Sequence, residues 1–218
     1  MRADSYPRSL RNGNARSQAS VTTTFQLSLY REVAAQLGGD VLDCGCGTAR
    51  IAPFLADDPA VNSYTGVDLA PDMVRMARWT ITRLNRERFG IEQGAIEAVR
   101  GQYDSAVSIH SYYAWPRPLD VLAHIRDVMR PGGRFVLATP NPQLDMDRLL
   151  RESSRELLAH PDFPEFERLN LEFAGNPGAA FVEMDLLIGQ SRDTGFEVLE
   201  CHQRHYLGGV NLLVLSKP

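Results

Sequence analysis

Apolar and polar positions along this chain follow two alternating rhythms. In FQLSLYREVAAQL, Phe25, Leu29, Val33 and Leu37 fall four residues apart, which marks one face of a helix, and Gly38-Gly39 ends it. VLDC (41–44) then reads as a short buried strand and TARIAPFL (48–55) as a helix. YTGVDL (64–69) is a second strand, and PDMVRMARWTITRLNRERF (71–89) a long helix with Pro71 in its first turn. A short strand near 91–93 follows, then the strand YDSAVSIH (103–110) and the helix PLDVLAHIRDVM (118–129). Pro131-Gly132-Gly133 turns the chain into the strand RFVLAT (134–139). After an interruption come a helix around 182–194, the strand FEVLECHQ (196–203) and a closing strand VNLLVLSK (210–217).

Strands alternating with helices predict an α/β fold with a doubly wound, mostly parallel sheet and helices on both faces. The interruption at 140–181 predicts an insertion. LDMDRLLRESSRELLA (144–159) is an amphipathic helix. HPDFPEFERLNLEFAGNPG (160–178) is broken by Pro161, Pro164 and Pro177 and carries Phe163, Phe166 and Phe173. It reads as a lid over the sheet's edge. Residues 1–24 show no apolar periodicity and no signal-peptide core, so they are expected to form a flexible arm. If that arm orders over a ligand, Tyr6, Arg11 or Arg16 could touch it. Residues 25–218 then make a single domain.

Composition narrows the function classes. Of the 218 residues, 44% are hydrophobic and 23% charged, the balance of a globular chain. No run is long and apolar enough to span a membrane. The net charge of −4 offers no basic surplus for nucleic acid. Lys217 is the only lysine, so arginine carries almost all the positive charge. Three cysteines, two of them in Cys44-x-Cys46, suggest a reducing cytoplasm rather than secretion. A metal there would need Cys201 with His202 or His205 to complete the ligands, and no metal is expected.

The most informative segment is VLDCGCGTAR (41–50), where a strand runs through Gly45-x-Gly47 directly into a helix. Glycines here permit a tight turn and close approach of a ligand to the backbone. Asp68 ends the second strand, where a carboxylate can accept both hydroxyls of a ribose. A turn without a ligand is one reading. A nicotinamide dinucleotide is another, but Arg50 stands where the fingerprint needs its third glycine, and Asp43 would face a pyrophosphate. A ligand with a ribose and no phosphate is the third.

These motifs resemble those of class I S-adenosylmethionine-dependent methyltransferases. VLDCGCGTAR is similar to the family's first motif and YTGVDLAPDMVRMAR to its second. YDSAVSIHSYYAW resembles its fourth-strand motif, and DVMRPGGRFVLATPNP its turn and fifth strand. DTGFEVLE and VNLLVLSKP resemble its final strands. The resemblance covers roughly 25–140 and 182–218. It implies a Rossmann-like sheet of seven strands with the last antiparallel, and S-adenosylmethionine as cofactor. It also implies that Asp43 holds the cofactor's ammonium, that Gly45 and Gly47 lie against its backbone-facing side, and that Asp68 takes the ribose. Leu69 and Met73 would pack the adenine. Two departures stand out: Ala49 occupies a position where many relatives have glycine, and Ala95 one where many have an acid. Adenine recognition then falls to Ala95 and Ile96, or to Glu97.

His110-Ser111-Tyr112-Tyr113-Ala114-Trp115 follows the fourth strand, at the carboxyl edge where sites gather in this architecture. Tyr112, Tyr113 and Trp115 are therefore candidate substrate contacts, with Phe163 and Phe166 from the lid. The connection holding His205 and Tyr206 either approaches the site or merely closes the sheet. His110, Tyr112 and His205 are the candidate bases or orienters, His110 also standing next to the cofactor. The expected activity is methyl transfer to a nitrogen or oxygen of a small metabolite by a monomer or homodimer. The alternatives are a peptide or protein terminus as acceptor, or use of the cofactor in a non-methylating step such as a cyclisation.

Overall fold

The computed structural model describes residues 20–157, 159–176 and 178–218. Among them seven strands form one sheet: β1 (Gly39–Cys44), β2 (Val61–Asp68), β3 (Phe89–Gln93), β4 (Tyr103–Ile109), β5 (Met129–Pro140), β6 (Glu197–His202) and β7 (Val210–Ser216). Their order is β3-β2-β1-β4-β5-β7-β6. The pairings from β3 across to β5 are parallel, and β7 runs antiparallel to both β5 and β6. The doubly wound sheet expected from the sequence rhythm is present, and the reversed last strand is the one that the family resemblance implies.

Period-2 geometry explains why nearly continuous apolar strands bury on both sides. Val41, Val136 and Val214 join the core beneath α1 (Thr24–Ala34), α2 (Ala52–Leu55) and α3 (Pro71–Leu84). Their neighbours Leu42, Leu137 and Leu213 join the opposite core, under α4 (Pro118–Val128) and α7 (Met184–Asp193). The chain leaves β1 toward β2 on one side, while β4 pairs on the other. That change of direction opens a crevice beyond the carboxyl ends of the central strands.

Several local readings change. The helix from Pro71 stops at Leu84, and Phe89 opens β3. The first half of TARIAPFL is turn, and only Ala52–Leu55 is helical. Gly45, Gly47 and Ala49 all have positive φ (76°, 54° and 59°), which keeps the chain out of helix until after Ile51. The proline-broken stretch 160–178 contains the helix α6 (Phe163–Ala174), because Pro164 sits in its first turn, where no N–H is needed. Within residues 20–24, assigned to the flexible arm, Val21 and Thr23 are buried. Val21 is buried against Leu150, Phe163 and Phe166, and Thr23 caps α1 with a reciprocal Gln26 capping box. Tyr6, Arg11 and Arg16 lie outside the described residues.

The insertion forms α5 (Met146–Leu157) and α6, which pack on each other. No helix among the described residues is long and apolar enough to cross a membrane.

Candidate functional site

A cavity of about 820 Å³ lies at the carboxyl ends of the strands. Each parallel strand from β1 to β5 delivers the residues that follow it or end it to the wall. Asp43 and the glycine loop come from β1, Asp68 to Met73 from β2, Ala95 to Glu97 from β3, His110, Ser111 and Tyr113 to Trp115 from β4, and Pro140 from β5. Tyr30 of α1 and Phe166, Leu169 and Phe173 of α6 close the other side.

The glycine loop is pinned to β2 by the N–H groups of Gly45 and Cys46, which both donate to the Val67 carbonyl, at 2.9 and 3.0 Å. A Cβ on Gly45 would come within 2.4 Å of the Ser111 side chain, so this position admits no larger residue. Around Gly47 nothing lies within 4 Å of such a Cβ, and the backbone there faces the open cavity.

Asp68 accepts the Gly47 N–H on one carboxylate oxygen (2.9 Å) and the Ala70 N–H on the other (2.8 Å). Burial raises its pKa, and the hydrogen bonds from Ala70, Gly47 and Leu69 oppose that rise. Each oxygen keeps a second lone pair for a ligand donor. Asp43 is buried and accepts the Tyr64 hydroxyl at 2.7 Å. Burial pushes its carboxyl up to about 7; the Tyr64 bond opposes this and the charge of Asp68 adds to it. Leu69, Met73, Ala95 and Ile96 line the same region of wall.

At the other end, His110 has φ 57° and lines the cavity half-buried, with both ring nitrogens out of reach of solvent and neither hydrogen-bonded. Burial, then the Arg50 and His205 charges, pushes its pKa down to about 4. Tyr206 stands edge-on to it, ring centroids 5.1 Å apart, with its buried hydroxyl also unpartnered. Tyr113 packs on Phe173 at 4.6 Å, and Trp115 lines the wall beside it.

Three candidates named from sequence lie off the cavity. Tyr112 is turned into the core against Trp115, its hydroxyl bonded to Gln190 and its pKa pushed up by burial to about 12. The tight 3-10 turn at 112–114 sends adjacent side chains to different sides, so Tyr113 reaches the cavity and Tyr112 does not. His205 faces α1, where its Nε2 lies 3.0 Å from Glu32. It is the next residue, Tyr206, that enters the cavity, across a turn in which Tyr206 and Leu207 both have positive φ. Phe163 is buried with Val21 and Leu150 beneath the insertion, holding α6 down, while Phe166 and Phe173 reach the wall.

Sequence reasoning missed Tyr30, Arg50 and Tyr206 as cavity residues. Arg50 registered only as the break in a dinucleotide fingerprint. Its guanidinium donates to the Val21 carbonyl and the Thr22 hydroxyl and lies 5.8 Å from the Tyr30 ring centroid. The cysteines do not assemble a metal set among the described residues. Cys44 and Cys46 are buried, with thiol pKa values raised by burial, and Cys201 is exposed. The one close grouping of metal-ligating atoms there is Glu32, His202 and His205, in which both imidazoles hydrogen-bond the same carboxylate.

Residues 22–184 match a family model described as "Methyltransferase domain". Over 152 residues the chain is 28% identical to the fatty-acid O-methyltransferase of Mycolicibacterium smegmatis, covering 66% of this chain and 54% of that one. It is 29% identical over 119 residues to the malonyl-acyl-carrier-protein O-methyltransferase of a Paenibacillus species, covering 51% and 43%. The chain thus spans about half the length of the curated relatives it matches. The crystal structure of the cyclase SpnF superposes with a TM-score of 0.67 at 17% identity, over 88% of this chain and 80% of that one, a likeness of fold.

Proposed function

The chain belongs to the class I S-adenosylmethionine-dependent methyltransferases, and from that premise we propose that its cavity binds this cofactor and serves methyl transfer to an oxygen or nitrogen atom of a small metabolite. The observation that carries the reading is the pairing of the open Gly45–Gly47 backbone with Asp68. One carboxylate fixes the loop and still offers lone pairs at the cavity wall. A ribose diol is the ligand group that such a carboxylate suits.

When bound, the cofactor supplies a methyl group on a sulfonium, an electrophile for in-line displacement. The rest of the chemistry belongs to the chain. Asp68 accepts the ribose hydroxyls. Asp43 receives the ammonium of the amino acid end, and Tyr64 orients its carboxylate from behind. Gly45 and Gly47 remove the side chains that would hold the ligand off the backbone. Leu69, Met73, Ala95 and Ile96 offer an apolar, polarizable slot to a flat ring. Trp115, Tyr113, Phe166 and Phe173 line the space left for an acceptor and exclude water from it. Holding the acceptor atom in line with the methyl is the main service the protein performs, and proximity of this kind lowers a barrier by up to about 7–11 kcal/mol.

The relatives in M. smegmatis and Paenibacillus are named for fatty-acid and malonyl-acyl-carrier-protein substrates, and both names specify transfer to oxygen. That supports an acceptor oxygen on a molecule with an apolar body, which the aromatic lid wall suits. The test is transfer of an isotope-labelled methyl from the cofactor to fractionated metabolites. Label in a small organic molecule supports the reading. Label confined to protein or RNA, or a product in which the methyl stays on the cofactor, overturns it.

A further inference from the structure

We propose that His110 and Tyr206 together clamp a carboxylate acceptor, so that the transferred methyl ends as a methyl ester; the inference rests on the methyltransferase reading above and names its substrate class.

Three polar atoms carry it: Nδ1 and Nε2 of His110 and Oη of Tyr206. All are buried and none has a hydrogen-bond partner, yet both side chains line the cavity. Buried polar atoms left unpaired cost free energy, and where they face a cavity they mark where a ligand's polar group belongs. The two rings meet edge-on with centroids 5.1 Å apart, so their free polar atoms serve one small region. His110, Tyr206 and Leu207 are non-glycine residues with φ of 57°, 51° and 57°. Left-handed backbone of this kind carries strain and gathers at functional sites.

Charge selects the acceptor's head group. The acidic side chains on the cavity wall are Asp43, Asp68, Asp72 and Glu97, which lie at or just beyond the ends of β1, β2 and β3. The wall contributed by β4, the insertion and the β6–β7 loop has none. The charged and titratable groups acting on the pair are Arg50 and His205 on His110, and Tyr30 and Arg50 on Tyr206. Arg50 is the cationic arginine or lysine side chain on the cavity wall, and its field favours an anion beside the pair. A neutral imidazole offers one N–H and the phenol one O–H, two donors for the two oxygens of a carboxylate. An amine would need an acidic partner that this end lacks. The apolar side chains of Leu144, Met146, Phe166, Leu169 and Phe173 leave the remaining wall to a hydrocarbon or aromatic body.

The chemistry balances without a base. A lone pair on the carboxylate oxygen forms the new bond to the methyl carbon. The carbon–sulfur bond breaks with its pair remaining on sulfur, so the anion and the sulfonium both become neutral. No proton is taken up or released, which suits a histidine that burial holds neutral. His110 and Tyr206 are hydrogen-bond donors that aim the oxygen, and Tyr206 sets which acceptors are accepted.

The test uses the full chain loaded with S-adenosylhomocysteine for binding and with labelled cofactor for turnover. The probes are decanoic acid, decanol and decylamine, and benzoic acid, benzyl alcohol and benzylamine. At least one acid should bind the loaded protein and be methylated, while its alcohol and amine counterparts are not. Tyr206→Phe should weaken binding of that acid and lower its kcat/KM about tenfold to a hundredfold, the loss of one hydrogen bond to a charged oxygen. Its affinity for S-adenosylhomocysteine should not change, and its thermal midpoint should hold or rise, because the lost hydroxyl is unpartnered in the free protein. The proposal is overturned by an amine or alcohol turned over faster than its acid, by an intact Tyr206→Phe enzyme, or by no probe binding while S-adenosylhomocysteine binds. Failure of S-adenosylhomocysteine itself to bind takes down the cofactor reading, and the clamp with it.

Discussion

The carboxylate of Asp68 accepts the backbone N–H of Gly47 at 2.9 Å. Asp68 ends β2 and Gly47 lies in the loop just past the end of the neighbouring parallel strand β1, so the acid at the tip of β2 sets the shape of the loop after β1. One side chain thereby links the two motifs that define the site. Replacing Asp68 frees the loop as well as removing a ligand contact, whereas Asp68→Asn keeps one acceptor oxygen for the backbone.

Cofactor affinity should depend on pH through Asp43. Burial pushes its carboxyl up to about 7 in the free protein. Below that pH the group is protonated and offers an ammonium no negative charge; above it the carboxylate is present. Affinity for S-adenosylhomocysteine should therefore fall as pH drops through about 7 and level off above it. Calorimetric titrations across this range should show the step in the wild type. In Asp43→Asn the binding should be weak and flat; an unchanged step in that variant refutes the assignment.

Two phenylalanines of α6 should separate stability from turnover. Phe163 is buried under the insertion with Val21 and Leu150, so Phe163→Ala should cost about 3–5 kcal/mol. Activity per folded molecule should survive. Phe173 faces the cavity and packs on Tyr113, so Phe173→Ala should raise the acceptor KM about tenfold with a smaller loss of stability. Denaturant melts and steady-state kinetics on both variants check the contrast, and a reversed pattern would put Phe163, not Phe173, at the acceptor.

Ala49 closes the glycine loop with φ 59°, a conformation that a Cβ resists. Ala49→Gly should relieve the strain and stabilise the chain by about 1 kcal/mol, read from the denaturant midpoint. A loss of stability instead would show that Ala49, fully buried, contributes more by packing than it costs in backbone strain.

Much of this arrangement is legible in the sequence because the signals are local. Val41-Leu42, Val136-Leu137 and Leu212-Leu213 announce strands buried on both faces, and Gly45-x-Gly47 with Asp68 marks where the chain turns toward a ligand. Side-chain direction within short turns is not legible this way. In Tyr112-Tyr113 and His205-Tyr206 the two neighbours are chemically alike as candidates, and only the backbone angles decide which one enters the cavity. Long-range partners are equally hidden. Glu32 takes His205 from 173 positions away, and Phe163 is claimed by Val21 from a segment with no periodic pattern. The helix α6 was obscured for a different reason: Pro164 reads as a breaker until its first-turn position is known.

The cofactor site at the Gly45–Gly47 loop and Asp68 is the central claim, and calorimetric titration of the folded chain with S-adenosylhomocysteine tests it most directly. The wild type should bind one equivalent. Asp68→Ala, checked for folding by circular dichroism, should bind about tenfold to a hundredfold more weakly, matching the roughly 1.5–3 kcal/mol of a hydrogen bond to a charged group. Equal affinity in the two proteins, or no binding to the wild type, contradicts the account.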